Sequence, residues 1–288
     1  MNEIDPQKTK RSNNIIIFFA VLFGLCLLII LAFAFYRHDK LARLRDGLIS
    51  TAITAATSHG SNNGLSPAVT TPTPSLKIPI LMYHYIRDYT DPNDPGGISL
   101  SVSTEKFASQ LNYLKSRGYH TITFTDVKKN QIPSKPIILT FDDGYVDFYQ
   151  NAFPELKSHN MVAVTFIITD FNGGDKYMND TELREIDKYG IEIGSHTVSH
   201  PNLTTASPFH ATRQIVDSKL VLENKIGHPI ISFCYPSGKY NPAIVQIVEG
   251  AGYEYATTTN EGLADFRSHF TLSRLRMKPS LEISSILR

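Results

Sequence analysis

The sequence predicts an α/β domain built on a parallel sheet and held behind a membrane-spanning segment. Three observations predict it. From Leu76 onward, short apolar runs of strand length alternate with stretches of helical period. The strongest run, Pro136 to Phe141 (PIILTF), is apolar almost throughout, as a strand covered on both faces is. Ile15 to Tyr36 are 22 consecutive uncharged residues, enough for a helix to cross a bilayer core. Composition narrows the function classes. With 42% hydrophobic and 19% charged residues, the chain is no disordered polymer. A net charge of +1 gives no electrostatic reason to expect nucleic acid as a partner. Two cysteines, Cys26 in the expected span and Cys234 far along the chain, exclude a disulfide-stapled scaffold.

Residues 1–14 read as a cytoplasmic tail and residues 15–36 as the transmembrane anchor, helical because lipid offers no partner to an open backbone. A cleaved signal peptide competes with this reading, since Ala32-Phe33-Ala34 has the small-x-small form of a cleavage site. Its apolar core is ordinarily about 7–15 residues, shorter than the stretch here. Lys8, Lys10 and Arg11 before the span are balanced by Arg37, Lys40, Arg43 and Arg45 after it, so charge leaves the orientation open. Residues 37–75 are a juxtamembrane segment and flexible linker. Ser50 to Ser75 is rich in Ser, Thr, Ala and Pro and carries no Asp, Glu, Lys or Arg.

Residues 76–288 are the folded domain. Lys77 to Tyr85 (KIPILMYHY) reads as its first strand. Thr104 to Arg117 reads as a helix, with Phe107, Leu111 and Leu114 on one face, Thr104 as N-cap and Gly118 as stop. Strands are expected over Pro136–Phe141, Ala163–Thr169, Ile191–Gly194, Ile230–Tyr235, Tyr253–Thr258 and Thr271–Met277. Helices are expected over Ala152–Ser158, Thr181–Tyr189, Phe209–Ile226 and Pro242–Glu249, the last with proline in its first turn. About seven strands suit a barrel or an open sheet, and in either one reactive groups gather at the carboxyl ends of the strands.

Three clusters sit at such ends. In Thr140-Phe141-Asp142-Asp143-Gly144, two adjacent carboxylates repel and point to opposite faces unless the chain bends, which Gly144 permits. One can then hold a metal while the other accepts a proton; the bland alternative is a solvated Asp-Gly turn. Ser195-His196-Thr197-Val198-Ser199-His200 places two imidazoles at i and i+4, on one side of a helical turn, the spacing of metal-binding histidine pairs. One aspartate and two histidines make three ligands and leave a position for water, as a catalytic site requires. Two surface histidines in a polar loop are the competing reading. Phe233-Cys234-Tyr235-Pro236-Ser237-Gly238 is by itself only an aromatic-Pro-x-Gly turn.

Together these residues resemble the polysaccharide deacetylases of the NodB-homology group, carbohydrate esterase family 4, through TFDDG at Thr140 to Gly144 and H-[ST]-x-x-H at His196 to His200. ILMYHYI and the Tyr-Pro-x-Gly turn resemble the branch that includes poly-N-acetylglucosamine deacetylases. The resemblance implies a distorted (β/α) barrel. It also implies a divalent metal, zinc in first place, on Asp143, His196 and His200, with Asp142 as general base. The family's oxyanion donor, a backbone N–H, falls by the match at Tyr235. Two family features are missing: an arginine near Tyr235, for which Arg274 or Arg276 can substitute, and a Leu-x-His acid, for which His84 in Met82-Tyr83-His84 is the candidate.

The expected activity is removal of N-acetyl groups from N-acetylglucosamine-containing envelope polysaccharide, with acetate released. The N-acetylated polysaccharide and the membrane are the expected partners. A substrate outside the membrane puts the domain outside, as a single-pass membrane protein. An O-acetyl esterase and a catalytically silent glycan-binding module are the rival readings. Tyr83, Tyr85, Tyr145 and Tyr149 either stack on sugars or pack the barrel top. Asp147 and Asp170 have no assigned role.

Overall fold

A computed structural model describes residues 76–287, together with Phe23, Asp46, Gly47, Ile49, Ser50 and Thr54. The chain divides into two units, Met1–Gly47 and Leu48–Arg288, and the barrel belongs to the second. The span expected at residues 15–36 and the linker at 37–75 lie outside the described residues, apart from those few positions. Among the described residues no helix is long and apolar enough to cross a membrane.

Seven parallel strands close into a ring in chain order: β1 (Ile80–Tyr83), β2 (Pro136–Phe141), β3 (Val164–Ile167), β4 (Glu192–Ser195), β5 (Ser232–Cys234), β6 (Tyr255–Glu261) and β7 (Leu272–Arg276). Leu275 of β7 pairs with Leu81 of β1, and Ile80 of β1 with Ile138 of β2, which closes the ring. His120–Thr121 adds a short spur on β2. The seams are unequal. Between β4 and β5 the register holds at one pair, Ser195 with Phe233, and between β6 and β7 it slips, from Thr257–Leu272 to Glu261–Arg274. Among the described residues, five α-helices of seven residues or more cover the outside: α1 (Thr104–Ser116), α2 (Phe153–His159), α3 (Asp180–Tyr189), α4 (Pro208–Ile226) and α5 (Pro242–Gly250). Only a single 3₁₀ turn, Phe266–Ser268, stands as helix between β6 and β7, so the barrel is distorted.

Period-two alternation in β2 shows how the chain is read. Ile138 joins Ile80, Val164, Phe166, Cys234 and Leu272 in an apolar cluster contributed largely by strands. Its neighbours Ile137, Leu139 and Phe141 join a second cluster with Phe107, Leu111 and Leu114 of α1 and Leu156 of α2. The first cluster fills the barrel and the second cements strands to helices. Continuing the inward face from Ile138 through Thr140 reaches Asp142 at the carboxyl end of the strand.

Two expectations are corrected. The first strand breaks into Lys77–Ile78, Ile80–Tyr83 and Tyr85–Ile86, because Pro79 has no N–H to continue a ladder and the outer pieces pair elsewhere. The N-cap of α1 is Ser103, extended at φ −63°, ψ 152°, with its hydroxyl accepting the Lys106 N–H; Thr104 is the first helical residue. Asn179 caps α3 through a capping box with Glu182, and Ser207 caps α4 ahead of Pro208.

Candidate active site

The bend expected after β2 is present and begins one residue earlier than glycine alone would require. Asp143 and Gly144 are both left-handed, at φ 74° and 78°, a conformation aspartate tolerates better than most residues. The turn separates the two carboxylates. Asp142 stays on the barrel's inner face and is buried, its N–H bonded to the Tyr83 carbonyl at 3.0 Å. Asp143 turns toward the histidines: its Oδ1 lies 3.4 Å from His196 Nε2 and 3.8 Å from His200 Nε2.

The histidines come from the end of β4, and here the helical-turn expectation fails. Residues 196–200 form no helix. Thr197 and His200 are left-handed at φ 71° and 58°, costly for the β-branched threonine, so the loop around them must impose it. Thr197 Oγ1 accepts the His200 N–H at 2.9 Å, and the Gln214 carboxamide oxygen accepts the N–H groups of Val198 and Ser199. The imidazoles still meet, with ring centroids 4.8 Å apart. His196 Nδ1 lies 2.7 Å from the Cys234 carbonyl. A carbonyl only accepts, so Nδ1 carries the proton and Nε2 is left for a ligand.

One donor atom each from Asp143, His196 and His200 all lie within 4.8 Å of one another. One oxygen and two imidazole nitrogens, with a hydrogen bond orienting His196, fit a divalent transition metal. Burial opposes ionisation of Asp143, but the hydrogen bond and charge of His196 hold its carboxyl low. Burial likewise opposes charge on His196, yet Cys234 and Asp143 push its pKa well above the ordinary value. Burial, with His196 nearby, lowers that of His200. Asp142, His196 and Cys234 form a second group close enough to share an ion. The fully buried Arg274 guanidinium already engages both Asp142 oxygens, which disfavours a cation there.

That pairing is the strongest polar contact of the site. Arg274 donates to Asp142 Oδ1 at 2.7 Å and Oδ2 at 2.8 Å, to Thr140 Oγ1 at 3.0 Å and to the Thr258 carbonyl at 2.8 Å. Burial opposes charge on Asp142, but the guanidinium outweighs it and holds the carboxyl well below the usual carboxylate range. Removing one partner of such a buried pair costs about 3–5 kcal/mol. His84 stands on the other side, Nε2 3.9 Å from Asp142 Oδ2. Burial lowers its pKa, the two aspartates act against that, and Arg274 and Arg276 add to it.

Tyr235 is not placed as expected. Its backbone N–H donates to the Thr257 carbonyl at 3.1 Å in the β5–β6 ladder, and its hydroxyl to the Phe270 carbonyl. The N–H is thus consumed by the sheet and is no oxyanion donor. Two residues on, inside the Pro236–Gly238 turn, Ser237 sits at φ 54°. Cys234, read from sequence only as part of a turn, is a contact that reading missed. Its sulfur lies 3.3 Å from an Arg274 nitrogen and 3.7 Å from Asp142 Oδ2. Its place in the third cluster, where many family members carry the arginine, was the available signal.

Comparison with known proteins agrees with this geometry. The family profile described as polysaccharide deacetylase matches residues 129–256. The chain is 33% identical over 215 residues to YxkH of Bacillus subtilis (strain 168), a provisionally named polysaccharide deacetylase, covering 73% of this chain and 74% of that protein. It is 28% identical over 179 residues to the poly-beta-1,6-N-acetyl-D-glucosamine N-deacetylase of Staphylococcus aureus (strain MRSA252), covering 56% of this chain and 62%, under two thirds, of that enzyme. Among solved structures, the Streptococcus pyogenes deacetylase PplD in complex with acetate superposes with a TM-score of 0.69 at 32% identity, over 74% of this chain and 99% of that one. With the ring of parallel strands and the residues gathered at its mouth, these matches make the chain a member of the polysaccharide deacetylase family, enzymes that hydrolyse N-acetyl amide bonds.

Proposed function

We propose that the chain is a metal-dependent N-deacetylase of an N-acetylglucosamine-containing polysaccharide of the cell envelope, tethered to the membrane by residues 15–36. The observation that carries this reading is the division of labour between adjacent aspartates: Asp143 joins the two histidines, and Asp142 is held ionised beside them by Arg274. Modest identity to a poly-N-acetylglucosamine deacetylase supports the substrate class.

Asp143, His196 and His200 would hold the cation, and two imidazoles with one carboxylate suit zinc. A divalent cation there supplies Lewis acidity, polarising the acetyl carbonyl and making water more acidic. Asp142, already a carboxylate, takes the proton of the attacking water. Arg274 keeps that carboxylate oriented through two parallel hydrogen bonds. The Ser237 N–H is the backbone donor for the oxygen that becomes negative. His84, with Nε2 3.9 Å from Asp142 Oδ2, receives that proton and passes it to the leaving nitrogen. Acetate and a free amine result.

The test is acetate release from N-acetylated and O-acetylated oligosaccharides by the metal-loaded protein. The wild type is expected to act on the N-acetylated set. Asp142→Asn is expected to lose at least about 100-fold in kcat while still binding metal, and to be less stable by about 3–5 kcal/mol because the buried Arg274 charge is left unpaired. Release confined to O-acetyl groups would favour the esterase reading, and bound glycan with no release under any metal the silent module.

A further inference from the structure

Six side chains form one continuous column beside the site. The Arg87 guanidinium is sandwiched between Tyr89 and Tyr85, 4.1 Å and 3.6 Å from their ring centroids. Tyr85 stacks on Tyr145 at 3.9 Å and 22°, Tyr145 on Tyr177 at 5.2 Å and 25°, and Tyr177 meets Phe171 at 5.1 Å and 44°. The column joins the loops that follow β1, β2 and β3. Its backbone is fixed as well as its rings. Tyr145 and Tyr177 face each other in an antiparallel bridge, flanked by bonds from Val146 N–H to the Lys176 carbonyl and from Met178 N–H to the Gly144 carbonyl. Asp147 and Asn151 grip the N–H and carbonyl of Ile86, between Tyr85 and Arg87.

Tyr145 is two residues beyond Asp143. The bridge and stack to Tyr145 hold Tyr177 and Tyr85 beside the same turn. None of the three is fully buried, and Phe171 is 37% exposed. Stacking uses up the tyrosine faces inside the column. The phenols of Tyr85, Tyr145 and Tyr177 hydrogen-bond in a chain, which leaves the half-buried row with oxygens that can still accept, and it ends in the exposed Phe171 ring. A polyol with apolar C–H faces is the ligand chemistry that matches both.

We propose that this column is a binding subsite for the sugar residues next to the one being deacetylated, with the hydroxyls of Tyr85, Tyr145 and Tyr177 bonded to glycan hydroxyls and Phe171 stacked on a sugar face. The proposal rests on the deacetylase reading and deepens it, because such a site selects a chain over a single N-acetylated sugar.

Tyr177→Phe removes a hydroxyl and keeps the ring; Phe171→Ala removes the outer face. Acetate release by the metal-loaded full chain is measured on N-acetylglucosamine oligomers of one to six units. In both variants KM for the tetramer and longer chains is expected to rise about fivefold with kcat held, the size of one lost hydrogen bond in Tyr177→Phe and of one lost ring contact in Phe171→Ala. The monomer is expected to change far less, so the preference for long chains shrinks. An unchanged KM at every length, or an equal loss on monomer and tetramer, would overturn the subsite and leave the column a packing device. Calorimetric binding of the tetramer separates this failure from that of the deacetylase reading. Affinity that drops about fivefold in Phe171→Ala supports the subsite even where the wild type releases no acetate, and unchanged affinity overturns it.

Discussion

Asp147 lies four residues beyond Asp143 and is buried, with Oδ2 accepting the Ile86 N–H at 2.8 Å and Oδ1 without a hydrogen-bond partner. Burial pushes its carboxyl up to about 6 from an ordinary value of 3.8, against the pull of the Ile86 N–H and Arg87. Between those two values the folded chain keeps a proton that the unfolded chain has released. Stability therefore falls as pH rises through that window, and the full penalty, up to about 3 kcal/mol, stands above it. Asp147→Asn is accordingly expected to raise the melting temperature at pH 7.5 and to lose that advantage below about pH 4. A gain of the same size at both pH values would show that charge is not the cause. The residue scale is also where sequence reading succeeded and failed side by side. The convergence of Asp143, His196 and His200 was legible because their types and spacing carry metal chemistry. Tyr235 was misplaced because the partner of a backbone N–H depends on which strand comes to lie beside it, and spacing along the chain does not encode that.

The element that follows β5 depends on one position. Gly238 has φ 68°, and a Cβ there would meet Thr259 Oγ1 at 2.0 Å and the Thr259 backbone nitrogen at 2.6 Å. The Pro236–Gly238 turn is thus pressed onto β6, and the backbone contact cannot be relieved by rotating a side chain. Gly238→Ala is expected to destabilise the domain by more than about 2 kcal/mol and to depress kcat by displacing the Ser237 N–H. Denaturant unfolding and kinetics check both; a variant as stable and as active as the parent would contradict the packing argument. Most elements were legible to within a residue or two, since apolar runs, proline at a first helical turn and Ser or Asn caps are local signals. The histidine loop was not. Its spacing fits a helical turn, but N–H bonds donated to the Gln214 carboxamide oxygen of α4 and two left-handed residues bend it otherwise.

For the whole molecule, residues 76–287 contain every strand of the barrel and every residue placed at the site. A protein lacking residues 1–75 is therefore expected to keep its kcat on soluble oligomers. The proposed anchor acts through local concentration, so the truncated protein is expected to leave the membrane fraction and to turn over envelope glycan more slowly. Cell fractionation and parallel assays check this, and a full-length chain found wholly in the soluble fraction would rule out the anchor. By itself the sequence determined the alternation of strand and helix, and the chemical kinds of residue at each strand end. Both follow from short-range periodicity and side-chain chemistry. Tertiary structure decided that the sheet closes into a ring, and that Arg274, 132 residues away, is the partner of Asp142. It also decided which N–H groups the ladder consumes. Those outcomes depend on register between distant strands, and register is set by how the whole barrel packs.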